Sequence, residues 1–353
     1  MKSGGMAFFR SCMGAIAGLV VGLLLCKFAG ESPFKVLQVL YQSSFGSGYD
    51  FGMTLFYTAP FILTGLAVAI PLRAGLFNIG AEGQLTMGAL MAAASGVMAP
   101  NLQSPILAVS FAIFLAFLGG GLWGAIPGYL KAKRGSHEVI TTIMLNFIAA
   151  GVAAYFTLYV IKDPNSAQAE TVPLPEAFIL KPYAFFNGAP MGNLFPVLIV
   201  FTIILWFFLK RSVWGYQLRA TGENELAAET YGISKNRSWI SSMFVAGGIA
   251  GLVGVVEVLG NSHSLKIGFS ADYGFVGIAV ALVARGNILG IIPAALLFGV
   301  LQKGSGSLDL ETDKITRDLS YIIQGLILLG VASDGIWDGL KHLKKLRRAP
   351  RVQ

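Results

Sequence analysis

Within the stretch GLFNIGAEGQL (residues 75–85) an asparagine and a glutamate stand four residues apart in apolar surroundings. If the stretch is helical, Asn78 and Glu82 share one face, and Gln84 is turned elsewhere, toward a neighbouring helix. Together with Asn146 these groups could hydrogen-bond a neutral hydroxylated solute, and the carboxylate could carry a proton. Helical counting from the basic marker Arg73 puts Glu82 about 14 Å into the apolar layer, and counting from Arg134 puts Asn146 about 18 Å in. The same count from Arg237 puts Glu257 about 30 Å in, near the far surface, as a solvated or gate-edge residue. An acid at mid-membrane depth must be paired or face a cavity. For Glu82 the alternative is a hydrogen bond that fixes the bundle, and single asparagines commonly join helices in this way. Gly75, Gly80, Gly83 and Gly88 fit close helix approach or a broken helix.

Depth has meaning only if the chain spans a membrane. Of 353 residues, 55% are hydrophobic and 12% charged, and the mean hydropathy is +0.68, which excludes an ordinary soluble globule. Residues 51–72, 83–130 and 139–161 carry no charge, and about 20 apolar residues suffice for one helical crossing. The uncharged runs predict an all-α, polytopic integral membrane protein with about ten transmembrane helices. They lie near 11–29, 52–72, 75–98, 105–129, 139–161, 193–210, 238–258, 273–286, 288–303 and 319–335. Gly286-Asn287 is either a tight turn between two short spans or a break in re-entrant helices.

With the N-terminus inside, only Lys27, Lys35, Lys162, Lys181, Lys266, Lys303, Lys314 and Arg317 fall outside, leaving 18 of the 26 Lys and Arg inside. That bias supports ten spans with both termini cytoplasmic. The net charge of +8 sits in short segments between apolar runs, so nucleic acid is not an expected partner. Cys12 and Cys26 lie in one run, about 21 Å apart if helical, too far for a disulfide. Lys27-Phe28-Ala29 is a poor cleavage site, so the first run is read as an uncleaved span.

The chain reads as a single domain, residues 1–353. Residues 30–50, with Phe34, Leu37, Leu40 and Tyr41, suit a helix lying on the surface. Residues 162–192 form an outer loop, 211–237 an inner segment, and 338–353 a basic cytoplasmic tail suited to anionic lipid. No phosphate-binding loop, metal-spaced His/Cys cluster or Gly-x-Ser-x-Gly elbow occurs, so no catalytic residue, cofactor or metal is expected and the chain is not read as an enzyme. The inner stretch RATGENELAAETYGIS (219–234) predicts a short helix stopped at Gly232. It is either a solvated connector or a helix whose Ala227-Ala228 face seats in a groove on a partner.

The motifs RAGLFNIGAEGQLTMGAL, HEVITTIMLN, RATGENELAAETYGIS and VAGGIAGLVGVVE occur in this order. Together they resemble the permease subunits of ABC importers for sugars and branched-chain amino acids, most of all the nucleoside importer permeases. The resemblance extends over residues 50–335 and implies an importer permease bundle in a bacterial inner membrane. It implies cytosolic ATPase subunits, a second related permease and an external substrate-binding (lipo)protein as partners, with a nucleoside or sugar-like solute as cargo. Residues 211–237 then take the place of the coupling loop that meets the ATPase, with Arg219, Gly222, Glu223, Asn224, Ala227, Ala228 and Gly232. Asn78, Glu82 and Asn146 become candidates for the substrate pathway. Alternatives are a permease of the same family for simple sugars, a proton-coupled secondary transporter with Glu82 as its proton site, and a membrane scaffold or receptor subunit.

Overall fold

The computed structural model describes residues 3–182, 186–190, 194–312 and 318–332, so the basic tail at 338–353 lies outside the described residues. In chain order the helices are α1 (Ser3–Phe28), α2 (Pro33–Phe45), α3 (Gly48–Leu72), α4 (Ala81–Met98), α5 (Pro105–Arg134) and α6 (Glu138–Tyr155). They continue as α7 (Leu194–Arg211), α8 (Val213–Glu223), α9 (Glu225–Thr230), α10 (Lys235–Gly251), α11 (Tyr273–Val283), α12 (Ile291–Glu311) and α13 (Asp318–Ala332). Two π-helical segments, Phe156–Val160 and Val255–Ser262, extend α6 and α10. No strand forms among the described residues; two isolated bridges, Lys162 with Thr171 and Glu170 with Lys266, hold the segment that follows α6.

The helices fall where the apolar runs are, but about ten spans is more than length and hydropathy support. Among the described residues six are long and apolar enough to cross, and a seventh results if α1 and α2, bent by 120°, count as one. The reason is local: α11 has 11 residues and α13 has 15, while α4 begins only at Ala81 and carries Glu82 and Gln84 in its 18 residues. The expected surface helix is α2, which buries Val36, Val39 and Leu40 and leaves Phe34, Leu37 and Tyr41 exposed. Between α11 and α12 the chain makes a tight turn, with Arg285 and Gly286 at φ 51° and 67°.

Burial orders the bundle. The apolar window of α3 is 89% buried and that of α10 and its extension 83%, against 17% for both α6 and α7, so α3 and α10 form the centre. Membrane helices have no solvent-driven pull toward one another, so their contact relies on backbone proximity and dispersion. Small residues provide that here. A Cβ on Gly120 of α5 would collide with the carbonyl oxygen of Gly247 on α10, and a Cβ on Gly247 with that of Gly120. Gly88 of α4 packs in the same way on Gly251.

Because the obstructing atoms are backbone, Gly247→Ala should destabilise the bundle by about 1–3 kcal/mol, the usual cost of overpacking. The melting temperature in detergent measures this. Gly151→Ala, at a position with nothing within 4 Å of the added methyl, should leave it unchanged.

Candidate functional site

Pro71 has no N–H, so the carbonyl of Ala67 four residues earlier loses its helical donor. The helix α3 ends at Leu72, and the chain turns through Gly75, at φ +75°, before α4 starts at Ala81. The stretch 75–80 is therefore a break and not the first part of a span, which is the sharper of the two readings of its glycines. Helical counting from Arg73 does not apply across it, and Asn78 does not share a helical face with Glu82.

Asn78 is fully buried inside the break. Its Nδ2 donates to the orphaned Ala67 carbonyl at 3.1 Å and to Gln84 Oε1 at 2.9 Å. Its Oδ1 accepts from Gly80 N at 3.1 Å and from Gln84 Nε2 at 3.0 Å. Asn78 and Gln84 thus form a reciprocal amide pair, whereas the helical face count turned Gln84 toward a neighbouring helix. The break itself causes this, since it folds residue 78 back over the first turn of α4.

Asn146 of α6 clamps the two sides of the break. Its Oδ1 accepts from Gly83 N at 2.8 Å, and its Nδ2 donates to the Ile79 carbonyl at 3.0 Å. The first satisfies one of the N–H groups that the start of a helix leaves without partners, and the second takes a carbonyl of the non-helical stretch before α4. Glu82, half-buried in the first turn of α4, reaches across to α11, where its Oε2 accepts from Gly274 N at 2.7 Å. Glu82 and Asn146 meet at one cavity of about 160 Å³, whose other polar lining includes Thr86, Thr157, Lys266 and Ser270. Asn78 does not line it.

Glu257 differs from the solvated residue that depth counting predicts. It is 6% exposed, accepting from the Tyr273 hydroxyl at 2.7 Å and from Asn261 Nδ2 at 3.3 Å. Tyr273 also meets Phe61 edge-to-face, with ring centroids 5.7 Å apart. A count along one helix places a residue in depth but says nothing of the helix, here α11, that packs over it. Tyr273 and Thr157 carry no local signal, and sequence reasoning missed them.

The inner segment holds two helices, α8 and α9. Asn224 caps α9, its Oδ1 accepting from Leu226 N and Ala227 N at 3.1 and 3.0 Å. Gly232, at φ +79°, ends it, with Gly232 N donating to Glu229 O and Ile233 N to Ala228 O, both at 2.9 Å. Ala227 and Ala228 do not form one outward face: Ala227 is exposed, but Ala228 is buried against the protein itself. The reason is helical spacing, since adjacent residues point about 100° apart. The exposed apolar side chains are Leu226 and Tyr231, at 68% and 85%. Lys235 holds α9 by ion pairs to Glu225 and Glu229 at 3.8 and 3.4 Å. Arg219 donates to the Leu209 carbonyl and ties α8 to α7. Glu223 is exposed, and Gly222 packs directly on the Arg73 carbonyl. Trp239 Nε1 donates to the Ala74 carbonyl at 3.1 Å. Gly222 of α8 and Trp239 of α10 therefore touch the chain just before the break that leads into α4.

Residues 51–332 match the family described as "Branched-chain amino acid transport system / permease component". Over 335 residues, covering 94% of both chains, the sequence is 35% identical to the guanosine ABC transporter permease protein NupP of Bacillus subtilis (strain 168). It is 31% identical to the nucleoside ABC transporter permease protein NupB of Lactococcus lactis subsp. cremoris, over 90% of this chain and 88% of that one. It is 29% identical to the glucose ABC transporter permease protein TsgB13 of Haloferax volcanii, over 92% and 87%. The chain belongs to the branched-chain amino acid transport system permease family, as a multi-pass membrane permease component that is not itself the catalytic subunit.

Proposed function

We propose that the chain is one subunit of a paired permease through which an ATP-driven importer of a bacterial inner membrane passes nucleosides. An external binding protein delivers the solute, and cytosolic ATPase subunits drive the cycle. The observation that carries this reading is the Glu82 carboxylate at a polar cavity inside the bundle, in a chain whose full-length relatives include permeases named for guanosine and nucleosides. The glucose relative keeps simple sugars as the second reading. Proton coupling is not favoured, because the family supplies energy from a separate ATPase.

In this reading Glu82 lines the pathway and binds solute, while Asn78 and Asn146 are positioning residues whose amides are occupied by the backbone and by Gln84. The ATPase docks on the exposed side of α9, at Leu226 and Tyr231 with Glu223 and Ala227. Asn224 and Gly232 set the ends of that helix, Ala228 seats it, Arg219 anchors α8, and Gly222 passes movement to the break. Ten apolar segments with both termini inside, and with the 162–192 loop outside, complete the topology.

In vesicles with the ATPase and binding protein, nucleoside uptake should need ATP and persist when the proton gradient is collapsed. Glu82→Leu should abolish uptake while the complex still assembles. Glu82→Gln, which keeps an acceptor for Gly274 N, should retain substantial uptake. Normal uptake by Glu82→Leu would remove Glu82 from the pathway, and loss of assembly would make it a structural residue.

For coupling, Leu226→Asp combined with Tyr231→Ala should weaken capture of the ATPase without affecting insertion, read by co-purification. Ala228→Leu should instead loosen α9 by overpacking, about 1–3 kcal/mol, read as faster proteolysis at the inner segment. Unchanged capture and transport in all of these variants would leave α9 a connector.

Single cysteines at Asn165 and Lys133, in a background lacking Cys12 and Cys26, test the topology. They should react with an impermeant thiol reagent from opposite sides, and labelling of both from one side overturns it.

A further inference from the structure

A threonine inside a membrane helix ordinarily donates its hydroxyl to the carbonyl four residues earlier. Thr58, Thr64, Thr86, Thr142 and Thr202 all do so here, at 2.7–2.8 Å. Thr157 does not. It is 1% exposed, and its Oγ1 has no partner among the described residues. The cause lies in the backbone. Here α6 passes into the π-helical segment Phe156–Val160, and the Phe156 N–H is shared between the Ala153 and Val152 carbonyls. Such π-helical bulges cost stability and recur at functional sites. A buried hydroxyl without a partner forfeits about 1–3 kcal/mol.

Thr157 lines the same cavity as Glu82. Around it, the Asn146 amide is occupied on both sides and the Thr86 hydroxyl is bonded to the Glu82 carbonyl. The Glu82 carboxylate receives Gly274 N and the Ser270 hydroxyl, two donors on a group with roughly four acceptor positions. The rest of the wall is Ala150, Ala153, Ala154, Leu265, Ile267, Gly268, Phe269 and Lys266, whose ammonium pairs with Glu170 at 3.9 Å. Apart from Lys266, the cavity is therefore bounded by two groups with hydrogen-bonding capacity left over, one acceptor-only carboxylate and one buried hydroxyl that can both donate and accept, beside a largely apolar wall.

We infer that Thr157 is a specificity-determining residue for the transported solute, and that its hydroxyl and the Glu82 carboxylate engage the neighbouring hydroxyls of a sugar ring, such as the cis-diol of a ribose. This rests on the nucleoside reading above and adds which part of the solute is recognised and where. A ring hydroxyl can donate to the carboxylate while its neighbour exchanges a hydrogen bond with Thr157, and the apolar ring face lies against the alanines and Phe269. A solute lacking one hydroxyl leaves a buried group unpaired, which is how a polar site rejects a deoxy analogue.

The test is uptake by the reconstituted importer, with the same binding protein throughout, of a ribonucleoside and of its 2′-deoxy and 3′-deoxy analogues. Thr157→Val keeps the shape and removes the hydroxyl, so the preference for the ribonucleoside over one of the analogues should fall about fivefold. Thr157→Ser should restore it. An unchanged preference in Thr157→Val, with wild-type uptake intact, overturns the inference alone and leaves the hydroxyl to a water. Absence of ATP-dependent nucleoside uptake by the wild type overturns the nucleoside reading and this inference with it. Should Thr157→Val fail to assemble, Thr157→Ala against Thr157→Ser gives the same comparison. Failure of both hydroxyl-free variants to assemble makes the hydroxyl structural and overturns the inference.

Discussion

A break in a membrane-buried helix leaves backbone donors and acceptors that neither water nor lipid can satisfy, and side chains from distant segments must supply the partners. Three such repairs surround residues 73–83. Asn78 takes the Ala67 carbonyl that Pro71 leaves open, Asn146 takes Ile79 O and Gly83 N, and Glu82 takes Gly274 N at the start of α11. The bonds of Asn146 and Glu82 join elements more than sixty residues apart in sequence. The break is thereby held in one conformation, and α3, α4, α6 and α11 are tied together at one place.

The cavity follows from that arrangement. Asn146 comes to it from α6 with both ends of its amide bound to backbone, and Glu82 from α4 with one oxygen bound to Gly274 N. A carboxylate that caps a helix start is stabilised by the N-terminal N–H groups, so it can stand beside a cavity at lower cost than an isolated acid. The same break begins next to the inner segment, where Gly222 rests on the Arg73 carbonyl and Trp239 holds Ala74. This contact with α8 lies within ten residues of Glu82 along the chain. Contact this close between backbones is open only to residues without a Cβ, which accounts for glycine at 222 in the same way as at 120 and 247.

Rigid packing elsewhere gives the break something to act against. The glycine-lined contacts of α5 with α10 and of α4 with α10 bring backbones together in the bundle interior, where dispersion is the main attraction. Residues 162–182 are bridged to residues 265 and 266 at the cavity wall: Thr171 N donates to Leu265 O at 3.0 Å, and Leu265 and Lys266 both line the cavity.

Much of this protein was legible in its sequence, because the relevant physics is local. Long uncharged runs require membrane helices, and their positions agree with the helices found at 48–72, 105–134 and 235–251. Asn224 and Gly232 mark the ends of α9 through bonds that reach no farther than five residues, so this short helix was predictable. The tertiary structure alone decided the partners. A period of 3.6 residues put Asn78 beside Glu82 on one face and turned Gln84 away, but the loss of one N–H at Pro71 and the turn at Gly75 ended the helix between them. Depth counting likewise left Glu257 solvated, whereas Tyr273, sixteen residues away, covers it. Thr157 became a site residue only through a change of helical register that its own sequence does not announce. In each case the deciding bond joins residues that the helical period does not bring together, and a pattern confined to one helix cannot encode it.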